Sequence, residues 1–124
     1  MSGWSKNPAK LVEKIKRDHV NQVCLTALNI HQRIVQKTPV DTGRARSNWI
    51  PRVGSPASQT RKKSTPSSLA SFARKEFNRK TVPFGSNLYI ANNLPYIERL
   101  NQGYSKQAPM HFVEMAIQEV KNEL

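Results

Sequence analysis

From Pro8 to Lys37 the chain runs for thirty residues without a glycine and, after Pro8 itself, without a proline. Nothing else in the sequence limits the fold as strongly. Val12, Ile15, Val20, Val23, Ala27, Ile30 and Ile34 recur at threes and fours over most of this stretch, the spacing of one helical face. The pattern breaks at His19, with Lys16 and Arg17 beside it. Pro8 suits the first helical position, where its missing N–H would have no intrahelical partner, and Asn7 stands where a cap is needed. Thr38-Pro39 ends the helix, because the residue before a proline is pushed out of the α region. At 1.5 Å per residue such a helix is roughly 45 Å long. A compact domain of 124 residues does not need that length, so part of the helix is expected to project or to pack on a neighbour.

The remaining elements are shorter. Asp41-Thr42-Gly43 is a turn signal, since an Asp side chain bonds backbone two residues on and Gly tolerates positive φ. Trp49, Ile50 and Val53 read as a short strand, with Pro51 favouring an edge or a bulge; Arg44 and Arg46 then alternate at its start, on one face. Residues 54–68 hold two prolines, five serines and Arg61-Lys62-Lys63, with no large apolar side chain, and read as a long basic loop. A short helix is expected at Leu69–Arg79, a strand over Asn87–Asn92, and a strand or one helical turn at Tyr96–Leu100. Gly103 stops that element. A final helix opens at Pro109, with Met110, Val113, Ile117, Val120 and Leu124 as its seam. The predicted fold is therefore α+β, one domain over residues 1–124. Its long N-terminal helix (8–37) and C-terminal helix (109–124) pack on a small antiparallel sheet, beside the basic loop (54–68).

Charge narrows the function. Twenty Lys and Arg against eight Asp and Glu give +12 in a chain only 37% apolar, with a mean hydropathy of −0.63. Such a chain attracts polyanions. Between Arg44 and Lys80 stand ten cations, Arg44, Arg46, Arg52, Arg61, Lys62, Lys63, Arg74, Lys75, Arg79 and Lys80, against the single Glu76. Six are arginines, suited to bidentate phosphate contact. These ten are the candidate DNA or partner contacts; the plainer reading is a solvated basic face. Met110–Leu124 is the opposite, with Glu114, Glu119 and Glu123 against Lys121. Basic middle and acidic end can pair between neighbouring copies.

The residue supply argues against catalysis. His19, His31 and His111 make no HxxxH, and lone Cys24 makes no CxxC and no internal disulfide. There is no GxSxG, phosphate-binding loop or GxGxxG. No enzyme, metal or cofactor is expected, and neither a secretory signal nor a membrane span is read. Phe84, Tyr89 and Tyr96 are more readily strand and core aromatics than base-stacking platforms. Trp4, outside the predicted core, is a candidate interface residue.

Two blocks carry a resemblance. Residues 38–49, TPVDTGRARSNW, follow a long first helix, and residues 87–117 read NLYIANNLPYIERLNQGYSKQAPMHFVEMAI. Together they cover about a third of the chain. They resemble the neck or tail-completion (head–tail joining) proteins of long-tailed bacteriophages. There a Thr-Pro-Val-Asp-Thr-Gly-Arg turn leads into a strand carrying Trp, and a strand, a Pro-Tyr, a Glu and a Gly precede a Pro-opened helix. In this chain the matching positions are Pro39, Asp41, Gly43, Trp49, Tyr96, Glu98, Gly103 and Pro109. The Ser/Pro/Lys/Arg-rich middle departs from that pattern. The resemblance implies a non-enzymatic virion protein at the head–tail junction, present in host cytoplasm during assembly. It would form a ring, sixfold to match the tail tube, against adjacent neck and tail proteins and around the genomic DNA of the channel. A tail terminator capping the tube is the neighbouring alternative. A non-specific nucleic-acid-binding module is the alternative of another class.

Overall fold

The computed structural model describes residues 8–39, 43–103 and 111–124. Helix α1, Pro8–Lys37, is the spine. After it come a helical turn α2 (Arg44–Ser47), strand β1 (Ile50–Val53), helix α3 (Pro66–Glu76), strand β2 (Leu88–Ala91), a short helix α4 (Ile97–Asn101) and helix α5 (Phe112–Glu123). The architecture is α+β, with the long N-terminal and the C-terminal helix packed around a two-stranded antiparallel sheet. The strands pair Ile50 with Ala91 and Val53 with Leu88. Gly54 N–H donates to Asn87 O at 2.8 Å, which turns Pro51 away from the ladder. Its missing N–H therefore costs β1 no bond to β2.

The apolar faces meet α1 at two levels. Near its C-terminal end, Ile34 packs with Trp49, Phe112 and Ala116, joined by half-buried Ile30, Ile90 and Leu100. Further back, Val20 and Cys24 pack with Val82, Val53 and Leu88. α5 lies along the first level, tied at its edge by Arg33 to Glu119 and Glu123 and by Lys37 to Glu119 at 2.8 Å. In contrast, every residue from Pro8 to His19 is exposed. The helix length expected from sequence thus takes the form of an arm of about three turns beyond the core.

Three local expectations are revised. Arg44 and Arg46 stand on a helical turn and not at the start of a strand. Ser47 Oγ donates to Gly43 O at 2.8 Å and Asn48 Nδ2 to Arg44 O at 2.8 Å, closing the turn. The loop ends earlier than residue 68, because Thr65 Oγ1 accepts the Ser68 N–H and Pro66 fills the first helical position, so α3 runs Pro66–Glu76. Tyr96–Leu100 resolves as helix, with Tyr96 as the residue before α4. α5 begins at Phe112, behind His111 in a left-handed conformation at φ 59°. Asn7, Trp4, Asp41 and Pro109 lie outside the described residues.

Candidate nucleic-acid interface and its supporting latch

Residues 38 and 43–49, with His31 and Ile34 of α1, build an internal latch. Trp49 Nε1–H donates to Thr38 Oγ1 at 2.9 Å, and the Thr38 hydroxyl donates to Ile34 O at 2.6 Å. Buried His31 holds the Trp49 carbonyl at 2.9 Å through Nε2. A carbonyl only accepts, so this imidazole carries its proton on Nε2. Burial pushes the His31 pKa below its ordinary value; nearby Arg61 acts in the same direction, and the Trp49 carbonyl opposes both. Arg46 reaches back to the last turn of α1, giving Nε–H to Thr38 O at 2.7 Å and Nη2–H to Gln36 O at 3.0 Å. A cation on the orphan carbonyls of a helix C-terminus is favourable both as a cap and against the helix dipole. Burial lowers the Arg46 pKa. Gly43 enters α2 at φ 72°, where a side chain would be strained.

The same segment orders the basic loop. Asn48, with 0% exposure, accepts the Arg61 N–H at 2.6 Å and donates to Arg61 O at 2.8 Å. Ser47 Oγ accepts the Ser64 N–H at 2.8 Å. From the other side Asn93 donates to Ala57 O and Gln59 O at 2.8 and 3.0 Å. Asn92 donates to Ala45 O at 3.0 Å, which binds β2 to α2. Side-chain amides therefore stand in for the backbone ladder that a serine- and proline-rich loop cannot make. Ser47, Asn48, Asn92 and Asn93 were not singled out as site residues in the sequence. Their polar types sitting beside Trp49 and the β2 strand were the only signal.

The ten cations divide by burial. Arg46 and Arg61 turn inward. The Arg61 guanidinium lies over the Phe72 ring at 4.6 Å, its Nε and Nη2 are buried with no hydrogen-bond partner among the described residues, and burial lowers its pKa. The other eight are exposed. Arg44 stands on α2 and Arg52 on β1, opposite Tyr89. Lys62 and Lys63 precede α3, Arg74 and Lys75 occupy its last turn, and Arg79 and Lys80 lie beyond it. Arg74 also donates to Ser71 Oγ at 3.3 Å. α3 thus presents serines with cations at both ends, and a groove of about 370 Å³ between it and α1 is lined by Leu28, His31, Val35, Leu69, Ala73 and Arg74. The remaining motif positions are structural by placement. Trp49 is core and Pro39 is buried, Glu98 is exposed on α4, and Gly103 takes φ 100°.

Among the described residues, no group of three or more His, Cys, Asp and Glu side chains is arranged to hold a metal ion, and no helix is long and apolar enough to cross a membrane. Exposed Phe84 is contacted edge-on by His19 and by the Lys16 ammonium at 5.5 Å. Comparison with protein-family models, curated proteins and solved structures finds no match.

Proposed function

We propose that this protein is a structural component of a bacteriophage head–tail junction. It assembles as a ring that completes the tail, joins it to the head, and turns its exposed cations toward channel DNA or an adjoining ring. The observation that carries this reading is the Thr38–Trp49 block. Its resemblance to tail-completion proteins comes with a physical role, since the block closes the long helix and pins the basic loop. A pinned loop offers Lys62 and Lys63 from a fixed base, which lowers the ordering cost of binding a polyanion. The projecting α1 arm adds apolar surface of the kind that subunit contacts use. Mass measurement of the purified protein, with detection of the chain in finished virions, tests the reading. A multimer that is retained in virions agrees with it. A strictly monomeric protein that is absent from them overturns it.

The eight exposed cations also favour a second reading, a free module that binds duplex non-specifically. Binding of the isolated protein to duplex across a salt series separates the two. Tight binding by monomer supports the module, and weak, sequence-blind binding by the multimer suits a channel lining.

A further inference from the structure

α3 sorts its residues by chemistry as well as by burial. Leu69, Ala73 and, at the C-cap, Phe77 follow one another at one-turn spacing and are buried. The opposite side carries Ser67, Ser68, Ser71, Arg74 and Lys75, all exposed, with no acid and no large apolar side chain among them. Glu76, the only acid of the helix, is half-buried on the flank, four residues after Phe72. The Arg61 guanidinium lies over the Phe72 ring and covers the aromatic surface of that flank. Ser71 Oγ accepts from Arg74 Nη2 at 3.3 Å, which steadies the cation on the outer face. From Ser67 to Lys75 this face is about 12 Å long.

Its charge is not used by the fold. On α1 and α5 acids answer the cations that face them: Lys14 pairs with Asp18, and Arg33 and Lys37 pair with Glu119 and Glu123. Arg61, Arg74 and Lys75 have no ion pair among the described residues, and neither have Lys62 and Lys63 ahead of the helix. The makeup of the face also separates two kinds of anionic partner. A protein partner needs an apolar or aromatic anchor at the centre of the contact, and here Leu69 is buried and Phe72 covered. Hydroxyls and cations without such an anchor are the side chains that meet phosphate oxygens. Serine is also short enough to let a backbone phosphate come close to the helix while its O–H donates.

We infer that the Ser67–Ser71–Lys75 face of α3 docks on the sugar–phosphate backbone of duplex DNA. Arg74 and Lys75 neutralise phosphates, and the Ser67 and Ser71 hydroxyls donate to them. This rests on the reading that the exposed cations turn toward DNA. It assigns the contact to one helix face and not to the basic segment at large, so that Arg79 and Lys80, beyond the helix, lie outside it.

The test is binding of the full-length chain to a random-sequence duplex across a salt series. Arg74→Gln with Lys75→Gln is expected to lower the slope of log affinity against log salt by about 2, at about 0.9 for each phosphate. Ser67→Ala with Ser71→Ala is expected to weaken binding about tenfold at an unchanged slope, because a donated hydroxyl hydrogen bond releases no counterion. General attraction to a basic surface would not register the loss of two neutral hydroxyls. All four side chains are exposed, so both pairs should keep the wild-type circular dichroism. Arg79→Gln with Lys80→Gln removes the same charge and is expected to change the slope by less than half as much. If that pair matches Arg74→Gln with Lys75→Gln, or if the serine pair binds like the wild type, the inference is overturned while the DNA reading stands. If polyglutamate competes as well as duplex at equal charge, the face selects an acidic polypeptide and the inference is overturned. If the wild-type chain fails to bind duplex even at low salt, as monomer or multimer, the inference and the DNA reading fall together.

Discussion

Replacing Asn48 by alanine tests the latch most directly. The side chain is fully buried and makes three bonds at once, donating to Arg44 O and Arg61 O and accepting the Arg61 N–H. Alanine leaves two carbonyls and one N–H without their partner in a space that the loop keeps closed. At roughly 1–3 kcal/mol for each unsatisfied buried group, with partial relief as water enters, the expected loss is about 3 kcal/mol. For a chain of this size that corresponds to a fall in Tm of about 10 °C. Urea unfolding monitored by circular dichroism measures the global loss, and hydrogen exchange at the Arg61 amide measures the local one. Asn48→Asp should not rescue it. The carboxylate still accepts from Arg61 N–H, but it faces the two carbonyls without a proton to give and is buried as a charge. A loss below about 1 kcal/mol with an unchanged Arg61 amide would refute the reasoning, because a typical buried polar deletion already exceeds that. The loop would then be held by its own turns and not by Asn48.

Other outcomes rest on the same geometry. His31 is held neutral with its pKa below 6.5, so between that lowered value and 6.5 the unfolded chain binds the extra proton. Stability is then complete above about pH 6.5 and declines as pH falls below it, a slope that His31→Gln should flatten in urea midpoints taken from pH 5 to 8. Lys62→Gln with Lys63→Gln should leave stability within about 0.5 kcal/mol. If both lysines meet phosphates, the same pair lowers the salt slope of duplex binding by about 0.9 for each phosphate no longer neutralised. Arg46→Gln should do the reverse, lowering Tm while leaving the salt slope unchanged, since its guanidinium serves Thr38 and Gln36. Gly43→Ala should cost about 1–2 kcal/mol for its left-handed backbone. The Lys63 side chain that the new methyl would meet at 2.8 Å is flexible and can move aside.

Most of the architecture was readable because it is written in periodicity. α1 coincides with its predicted span, since thirty residues without an internal breaker leave few other outcomes. The α5 seam is corrected: Val113 and Val120 pack inward as the spacing indicates, but Phe112 and Ala116 complete the buried face while Ile117 and Leu124 stay exposed, because the helix opens at Phe112 and turns that face to Ile34 and Trp49. α2 was not readable. Its turn is closed by Ser47 and Asn48 bonding back four residues, so local side-chain chemistry holds Arg44–Ser47 helical and the strand starts only at Ile50. The basic loop hid its order for a related reason. Composition indicates only a long basic loop, whereas its anchors are amides of Asn48 and Asn93, thirteen or more positions away in sequence. For the cations, counting charge identified the segment but not the direction each points. Arg46 and Arg61 differ from their neighbours only in having helix carbonyls or Phe72 within reach, which distance along the chain does not reveal.

The two apolar clusters along α1 each contain one chemically distinct native reporter. Cys24 sits in the Val20–Val82 cluster with 2% exposure, and its pKa is raised by burial. Its reaction with a thiol reagent therefore requires that level of the structure to open. The Trp49 indole N–H sits in the other, bonded to Thr38. Exchange of that proton times the opening of the latch. Equal opening free energies from the two probes would make the spine a single cooperative unit. A faster Cys24 would instead divide the molecule into a firm end that holds the basic loop and a yielding end that carries the arm, so that the part reaching for a neighbour could adjust without loosening the other.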